Sequence, residues 1–389
     1  MTIAENWNKF VAPTYAPPQI KLISGKGTKV YDDTGKSYLD FVSGIAVTSL
    51  GHANEEIAEA IYTQAKKLGH VSNLYANSVT EELAEKLLII SGMKNGRVFF
   101  ANSGAEANEA AIKYVRANKP KCKLIALEGS FHGRTMGALS LTGQLEKRAP
   151  FEPLIPKVDF IKRDSINSAK KKLKSSAGGV WIELVQGEGG VIPLAKEFVS
   201  QIIQITKDHF IALVVDEVQT GMGRTGNWFA YQEFDFMPDL VPIAKGLGGG
   251  IPIGALLISE NFAKVIQPGG HGTTYGGNPI AATSALTVIK MIEQQQLLEN
   301  VKRQSMLIRT NISQIRGVQV VRGMGLLLGV VLNGDYSKKI AQRAQQLGLL
   351  VNAVRPNVLR LAPPLNISTA ETTEGIEKLS EAIKQAQDE

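Results

Sequence analysis

The chain has 389 residues, 44% of them hydrophobic and 20% charged, an ordinary balance for a globular protein of roughly two to three domains. Its net charge of +7 is scattered except at Lys170, Lys171, Lys172 and Lys174, which reads as a solvated helix face and not as a nucleic-acid footprint. The single cysteine, Cys122, excludes an internal disulfide, the polar stretch from Met1 to Lys9 lacks the regions of a secretion signal, and no apolar run approaches the ~20 residues of a membrane span, so a cytoplasmic location is expected.

In chain order, the first element is a strand–turn–strand pattern over 28–31 and 36–41, turning at Asp32-Asp33-Thr34-Gly35. Apolar runs at 97–101, 123–127, 180–185, 211–215 and 255–258 then read as buried strands. Helical patterns at 105–117 and 196–207 fall between them. Strands that are apolar throughout and alternate with helices imply an α/β fold with a mostly parallel sheet covered on both faces. A long helix from Pro279 to about 295 leaves this body. Beyond 318 the pattern shifts to shorter strands and two helices, 336–347 and 369–386, expected to form a smaller α+β domain. The expected division is 1–50 as an N-terminal segment packing with the small domain, 51–285 as the large domain, and 286–389 as the small one.

Four motifs carry chemistry. Asn102-Ser103-Gly104-Ala105-Glu106 follows a strand and opens a helix, so its amides can hold a phosphate for ~0.3–1 kcal/mol per exposed charge. Alone, the same residues make an ordinary cap with Glu106 at the third following position. Gly129-Ser130-Phe131-His132-Gly133-Arg134 follows another strand, at the end where open α/β sheets bind ligands. There Phe131 can stack on a flat ring and Arg134 can grip a carboxylate. Asp216 ends an apolar strand, a costly place for a carboxylate unless it meets a cation or donors. A protonated pyridine nitrogen is such a cation, and Gln219 could reach a neighbouring ring oxygen. Lys245 sits among Ile243, Ala244 and a glycine run, where burial lowers an amine's pKa and favours Schiff-base chemistry. A phosphate cradle, a stacking ring, a pyridinium partner and a lysine are together what a protein must supply around pyridoxal 5′-phosphate.

With these motifs the sequence resembles the class III (ornithine-type) aminotransferases. The resemblance runs over nearly the whole chain, from Tyr38-Leu39-Asp40-Phe41 through Gln186-Gly187-Glu188-Gly189-Gly190, Gly221-Met222-Gly223-Arg224-Thr225-Gly226 and His271-Gly272-Thr273-Thr274-Tyr275 to Arg360-Leu361-Ala362-Pro363-Pro364. It implies fold type I of the pyridoxal-phosphate-dependent transferases and a homodimer with its active site at the interface. It also implies transfer of a terminal amino group from a donor such as N2-acetylornithine to 2-oxoglutarate, as in arginine biosynthesis. Ornithine, succinylornithine, acetyllysine and 4-aminobutyrate remain open as donors. Lys245 and Asp216 are the implied catalytic residues. Gly104, Ala105, Phe131, Asp216, Glu217, Val218, Gln219 and Lys245 are the implied cofactor contacts, with Thr274 reaching the phosphate of the neighbouring subunit. Arg134 and Thr273 would bind the donor's carboxylate. Glu188 would neutralise Arg360 while the donor reacts, then release it to the oxo acid. Two departures stand out: Ala105 occupies a place where the family usually has Thr, and Asn54-Glu55 replaces the usual His-Pro.

Two other classes fit part of the sequence. Gly221-Met222-Gly223-Arg224-Thr225-Gly226 is a literal G-x-G-x-x-G with Asp239 downstream, the fingerprint of a dinucleotide-binding dehydrogenase, but the residues after Gly226 do not read as a helix start. A non-catalytic scaffold would not need Lys245 and Asp216. The five histidines show no metal-ligand spacing, so no metal is expected.

Overall fold

The computed structural model describes residues 3–387; Met1, Thr2, Asp388 and Glu389, which belong to the expected terminal segments, lie outside the described residues. A seven-stranded sheet forms the centre, in the order Arg97–Ala101, Gly254–Ile258, Leu240–Ile243, Ala212–Val215, Ala177–Ile182, Lys123–Leu127, Val158–Ile161. Every strand but Gly254–Ile258 runs in one direction. Strand side chains alternate between faces. Ile125, Leu127, Leu213 and Val215 enter a core shared with Leu83, Leu87, Phe198 and Ile202. Leu124, Ala126, Ala212 and Val214 enter the opposite core with Ala111 and Val115. Both faces are therefore dry, which is why the strands read as unbroken apolar runs.

The structure corrects the strand reading in three places. The run expected at 180–185 is the strand Ala177–Ile182, and Val185–Gln186 pairs separately with Ile192–Pro193. Gly178 and Gly179 look like a turn in the sequence, yet they let the helix Gly104–Asn118 approach the sheet. A Cβ on Gly178 would lie 2.2 Å from Cys122 Sγ, and one on Gly179 3.0 Å from Val115 Cγ1. Leu240–Ile243 was missed because Pro242 argues against a central strand. The edge strand Val158–Ile161 was missed because it is short and carries Asp159.

Downstream, Val318–Met324, Leu327–Leu332, Val358–Leu361 and Asn352–Arg355 form an antiparallel sheet. Leu297–Ile312, Ser337–Gln346 and Thr369–Gln387 supply helices to its core. Leu39 and Phe41 belong to that same core, and Ser37–Asp40 pairs in parallel with Leu349–Leu350. The helix Pro279–Gln294 joins the two bodies: Ala282 and Ala285 pack in one core, Val288 and Ile292 in the other. Asn54 caps the helix Glu55–Lys67 by accepting from Ile57 N at 3.1 Å, so the departure from His-Pro keeps a working helix start. No described helix is long and apolar enough to cross a membrane.

Candidate active site

Strands that run the same way end at the same edge. Arg97–Ala101, Lys123–Leu127, Ala177–Ile182, Ala212–Val215 and Leu240–Ile243 thus deliver Asn102–Ala105, Phe131–Arg134, Glu183, Asp216 and Lys245 to one place. They surround a cavity of about 420 Å³, which has room for a small-molecule ligand.

Ser103 starts the helix Gly104–Asn118, its hydroxyl accepting from Glu106 N at 3.2 Å. The cap reading is therefore correct, and it leaves the amides of Gly104 and Ala105 without an acceptor among the described residues, at the cavity wall. A Cβ on Gly104 would lie 2.7 Å from Val218 Cγ1, so only glycine lets this turn close against the Asp216 loop.

Asp216 is buried and fully engaged. Its Oδ2 accepts from Asn108 Nδ2 at 2.8 Å and lies 2.7 Å from His132 Nδ1, while its Oδ1 accepts from Val218 N at 3.0 Å. Burial opposes the charge on His132, but the hydrogen bond and the charge of Asp216 outweigh it and raise the imidazole's pKa. Asn108 also donates to the carbonyls of Gly104 and His132, at 3.1 and 3.0 Å, and so ties the phosphate-cradle turn to the carboxylate.

Lys245 is pushed down to about 8, first by burial and then by Arg360, against the pull of Glu188, Asp216 and Glu183. Glu183 was missed in the sequence. Its carboxylate accepts from Phe131 N at 2.8 Å, and burial raises it to about 7. The clue in the sequence was a carboxylate inside an apolar run; like Asp216, it stands at the end of an apolar strand.

Arg360, on Val358–Leu361, lies behind the cavity wall, is 3% exposed, and meets the wall residues Glu188 (Oε1 at 2.5 Å) and Gln219 (Oε1 at 3.3 Å). Gln219 thereby points its acceptor at Arg360, and its amide donates to nothing else among the described residues. Burial favours the neutral form of Glu188, but Arg360 prevails and holds the carboxyl below its usual range.

Two expected contacts, Glu217 and Thr273, do not reach this cavity, and a third, Thr274, is the one expected to serve a neighbouring subunit. Glu217 turns away from it, accepting from Tyr231 N at 2.9 Å and Thr220 Oγ1 at 2.5 Å, because successive residues after the strand point to opposite sides. Thr273 lies outside the lining, its hydroxyl accepting from Asn102 Nδ2 at 3.1 Å. Thr274 is exposed. The G-x-G-x-x-G segment is not followed by a dinucleotide-type helix. It docks on the small-domain sheet instead, with Arg224 donating to the carbonyls of Leu326 and Pro363.

A lysine, a carboxylate cradle, an aromatic ring and free helix-start amides at the strand ends define a site for a phosphorylated, ring-bearing carbonyl cofactor. The family model "Aminotransferase class-III" matches residues 10–383, and the chain belongs to that family. It is 44% identical over 379 residues to an acetylornithine aminotransferase of Aquifex aeolicus, covering 96% of this chain and 100% of the relative. The N-acetylornithine aminotransferase of Stenotrophomonas maltophilia superposes with a TM-score of 0.84 at 34% identity over 98% of both chains. The ornithine aminotransferase of Toxoplasma gondii superposes with a TM-score of 0.94 at 26% identity, over 99% of this chain and 94% of that one.

Pyridoxal 5′-phosphate is the cofactor of this family and of this chain. The residues present fit it. The cavity has two unpaired helix-start amides, the buried Asp216, Lys245, and the ring of Phe131 along its wall.

Proposed function

We propose that this aminotransferase moves the terminal amino group of N2-acetylornithine to 2-oxoglutarate, giving N-acetylglutamate 5-semialdehyde and glutamate. The observation that carries the reading is the state of two arginines at one cavity. Arg360 is paired with Glu188, whereas Arg134 lines the cavity without an ion-pair partner among the described residues. A donor with one carboxylate, remote from its reacting amine, needs one free arginine. A dicarboxylic oxo acid needs two, and displacing Glu188 supplies the second. The names of the relatives support N2-acetylornithine as the donor.

The amides of Gly104 and Ala105 would hold the phosphate, with no hydroxyl from Ala105 to help. Phe131 and Val218 would flank the ring, Gln219 Nε2 would donate to the ring hydroxyl, and Asp216 would keep a proton on the ring nitrogen. His132 and Asn108 hold Asp216 aimed for that task. The bound cofactor supplies a sink for the electron pair left on the donor carbon when its proton departs. Lys245 would anchor the cofactor and then carry that proton on Nζ. With its pKa near 8, both protonation states are reachable at neutral pH. Thr274, exposed here, would complete the phosphate site of a second copy, and Thr273 would contribute from the same segment, making the working form a homodimer in the cytoplasm.

The test is a donor panel with 2-oxoglutarate as acceptor. N2-acetylornithine should exceed 4-aminobutyrate and free ornithine in kcat/KM. If 4-aminobutyrate is far better, the role given to Arg134 is wrong.

A further inference from the structure

Arg134 is not the only cation beside Phe131 that lacks a carboxylate partner among the described residues. The guanidinium carbon of Arg134 lies 5.6 Å from the centroid of the Phe131 ring, and Lys147 Nζ lies 5.7 Å from the same centroid. Phe131 lines the cavity, so both charges stand beside it. Neither pairs with a carboxylate among the described residues. Glu146, next to Lys147 in the chain, faces Arg355 instead, at 3.9 Å. Glu188 is held by Arg360.

The ammonium of Lys147 is also held in place. It donates to Gln144 Oε1, and Gln144 is 3% exposed, fixed by its own bond to Gly129 O at 3.2 Å. A lysine on an open surface would swing freely, whereas this one is pinned beside the ring of a cavity-wall residue. Burial depresses its pKa, Arg355 and Arg134 push the same way, and Glu188 and Glu146 oppose them. Two cations beside one ring, neither paired with a carboxylate among the described residues, make a receptor for an anion supplied from outside.

We propose that Lys147 is a specificity-determining residue, the second cation that grips the carboxylate of the amino donor alongside Arg134. The inference rests on the donor reading given above. It adds a residue that sets how strongly the enzyme prefers ω-amines ending in a carboxylate over ω-amines that lack one.

The experiment compares N2-acetylornithine with N-acetylputrescine, the same amine without the carboxylate, in the wild type and in Lys147→Gln, Lys147→Arg and Arg134→Ala. Lys147→Gln should raise KM for N2-acetylornithine about tenfold, the scale of one charge-assisted hydrogen bond. The loss should lie in KM and not in kcat, and it should be several-fold smaller for N-acetylputrescine. Lys147→Arg should restore most of the preference. Equal losses on the two amines, or no loss, would overturn the proposal. So would a KM rise that vanishes at about 0.5 M salt, since that would mark only a screened surface field. The outcomes separate the two readings. A wild type indifferent to the carboxylate refutes the donor reading itself, while a preference lost in Arg134→Ala but kept in Lys147→Gln refutes only the part given to Lys147.

Discussion

Replacing Glu188 with Gln tests the switch most directly. Arg360 is 3% exposed and its two side-chain acceptors are Glu188 at 2.5 Å and Gln219 at 3.3 Å. Removing one partner of a buried pair costs about 3–5 kcal/mol when nothing replaces it. Here the new amide still accepts a hydrogen bond, Gln219 remains, and the side chain at 188 is 27% exposed, so about 1–2 kcal/mol is the expected loss. In a chain of this size that is a fall of a few degrees in Tm. The functional effect is larger in kind. In the wild type, a second carboxylate must displace Glu188 before it reaches Arg360. In the variant it does not, so kcat/KM for glutamate as donor should rise about tenfold relative to N2-acetylornithine. Stopped-flow absorbance of the donor half-reaction measures this without the acceptor. The sign of the pH dependence follows from the depressed carboxyl of Glu188: its pairing is complete above the ordinary carboxylate range and is lost only as pH falls through the depressed value. The contrast between wild type and variant should therefore hold steady from about pH 6 to 9. An unchanged glutamate-to-acetylornithine ratio would refute the switch.

Purified protein should be yellow, and Lys245→Ala should abolish the adduct trapped by borohydride; a trapped adduct in the variant would place the attachment elsewhere. Gly104→Ala sets a Cβ 2.7 Å from Val218 Cγ1, an overpacking of about 1–3 kcal/mol at the phosphate turn, and should weaken cofactor retention on dialysis several-fold. Burial raises Glu217 from 4.5 to about 7, so the folded state holds a proton that the unfolded state releases, and stability falls as pH rises between those values. Glu217→Gln should remove about 2.5 kcal/mol of that fall between pH 5 and pH 8, seen in urea unfolding. A residual slope should remain from Glu183, also near 7, and an identical slope in the variant would contradict the assignment.

Much of the site was legible because its residues are chemically out of place. Asp216 ends an apolar strand and Lys245 sits among Ile243, Ala244 and glycines, and a charge in either place has few structural excuses. The first turn of Gly104–Asn118 was legible through its cap and its small residues. Glu183 follows the same logic, but the run at 180–185 puts it inside a strand, and only the observed end at Ile182 places it at the strand's end. Asn108 and His132 were not assigned because their task is to orient Asp216, a relation that exists only once two strand ends lie side by side. Lys147 was not legible at all. Nothing in Leu145-Glu146-Lys147-Arg148 says that Gln144 will pin one of its charges beside Phe131. The strands failed where tertiary packing overrode local signals, with the glycines at 178 and 179 serving a helix and Pro242 tolerated in a central strand.

The switch requires that Arg360 stay put when Glu188 leaves, and the structure supplies a reason that it does. Arg360 lies on a strand paired through Gly329 on one side and Asn352 on the other. Just past that strand, Arg224 donates to the carbonyl of Pro363, and it also bonds Leu326 O at 3.3 Å, while Leu326 N donates back to Arg224 O at 3.0 Å. The loop read as a possible dinucleotide motif is thus a staple between the lysine-bearing body and the arginine-bearing sheet. Burial pushes Arg224 down to about 9, partly offset by Asp40, and its partners there are carbonyls rather than carboxylates, so the staple is insensitive to the ion pair beside the substrate. Glu188 can then exchange partners without moving the strand. On the proposed switch, the placement of Arg360 relative to Lys245 is set by backbone and staple, and the charge on Glu188 would decide only which substrate can use it.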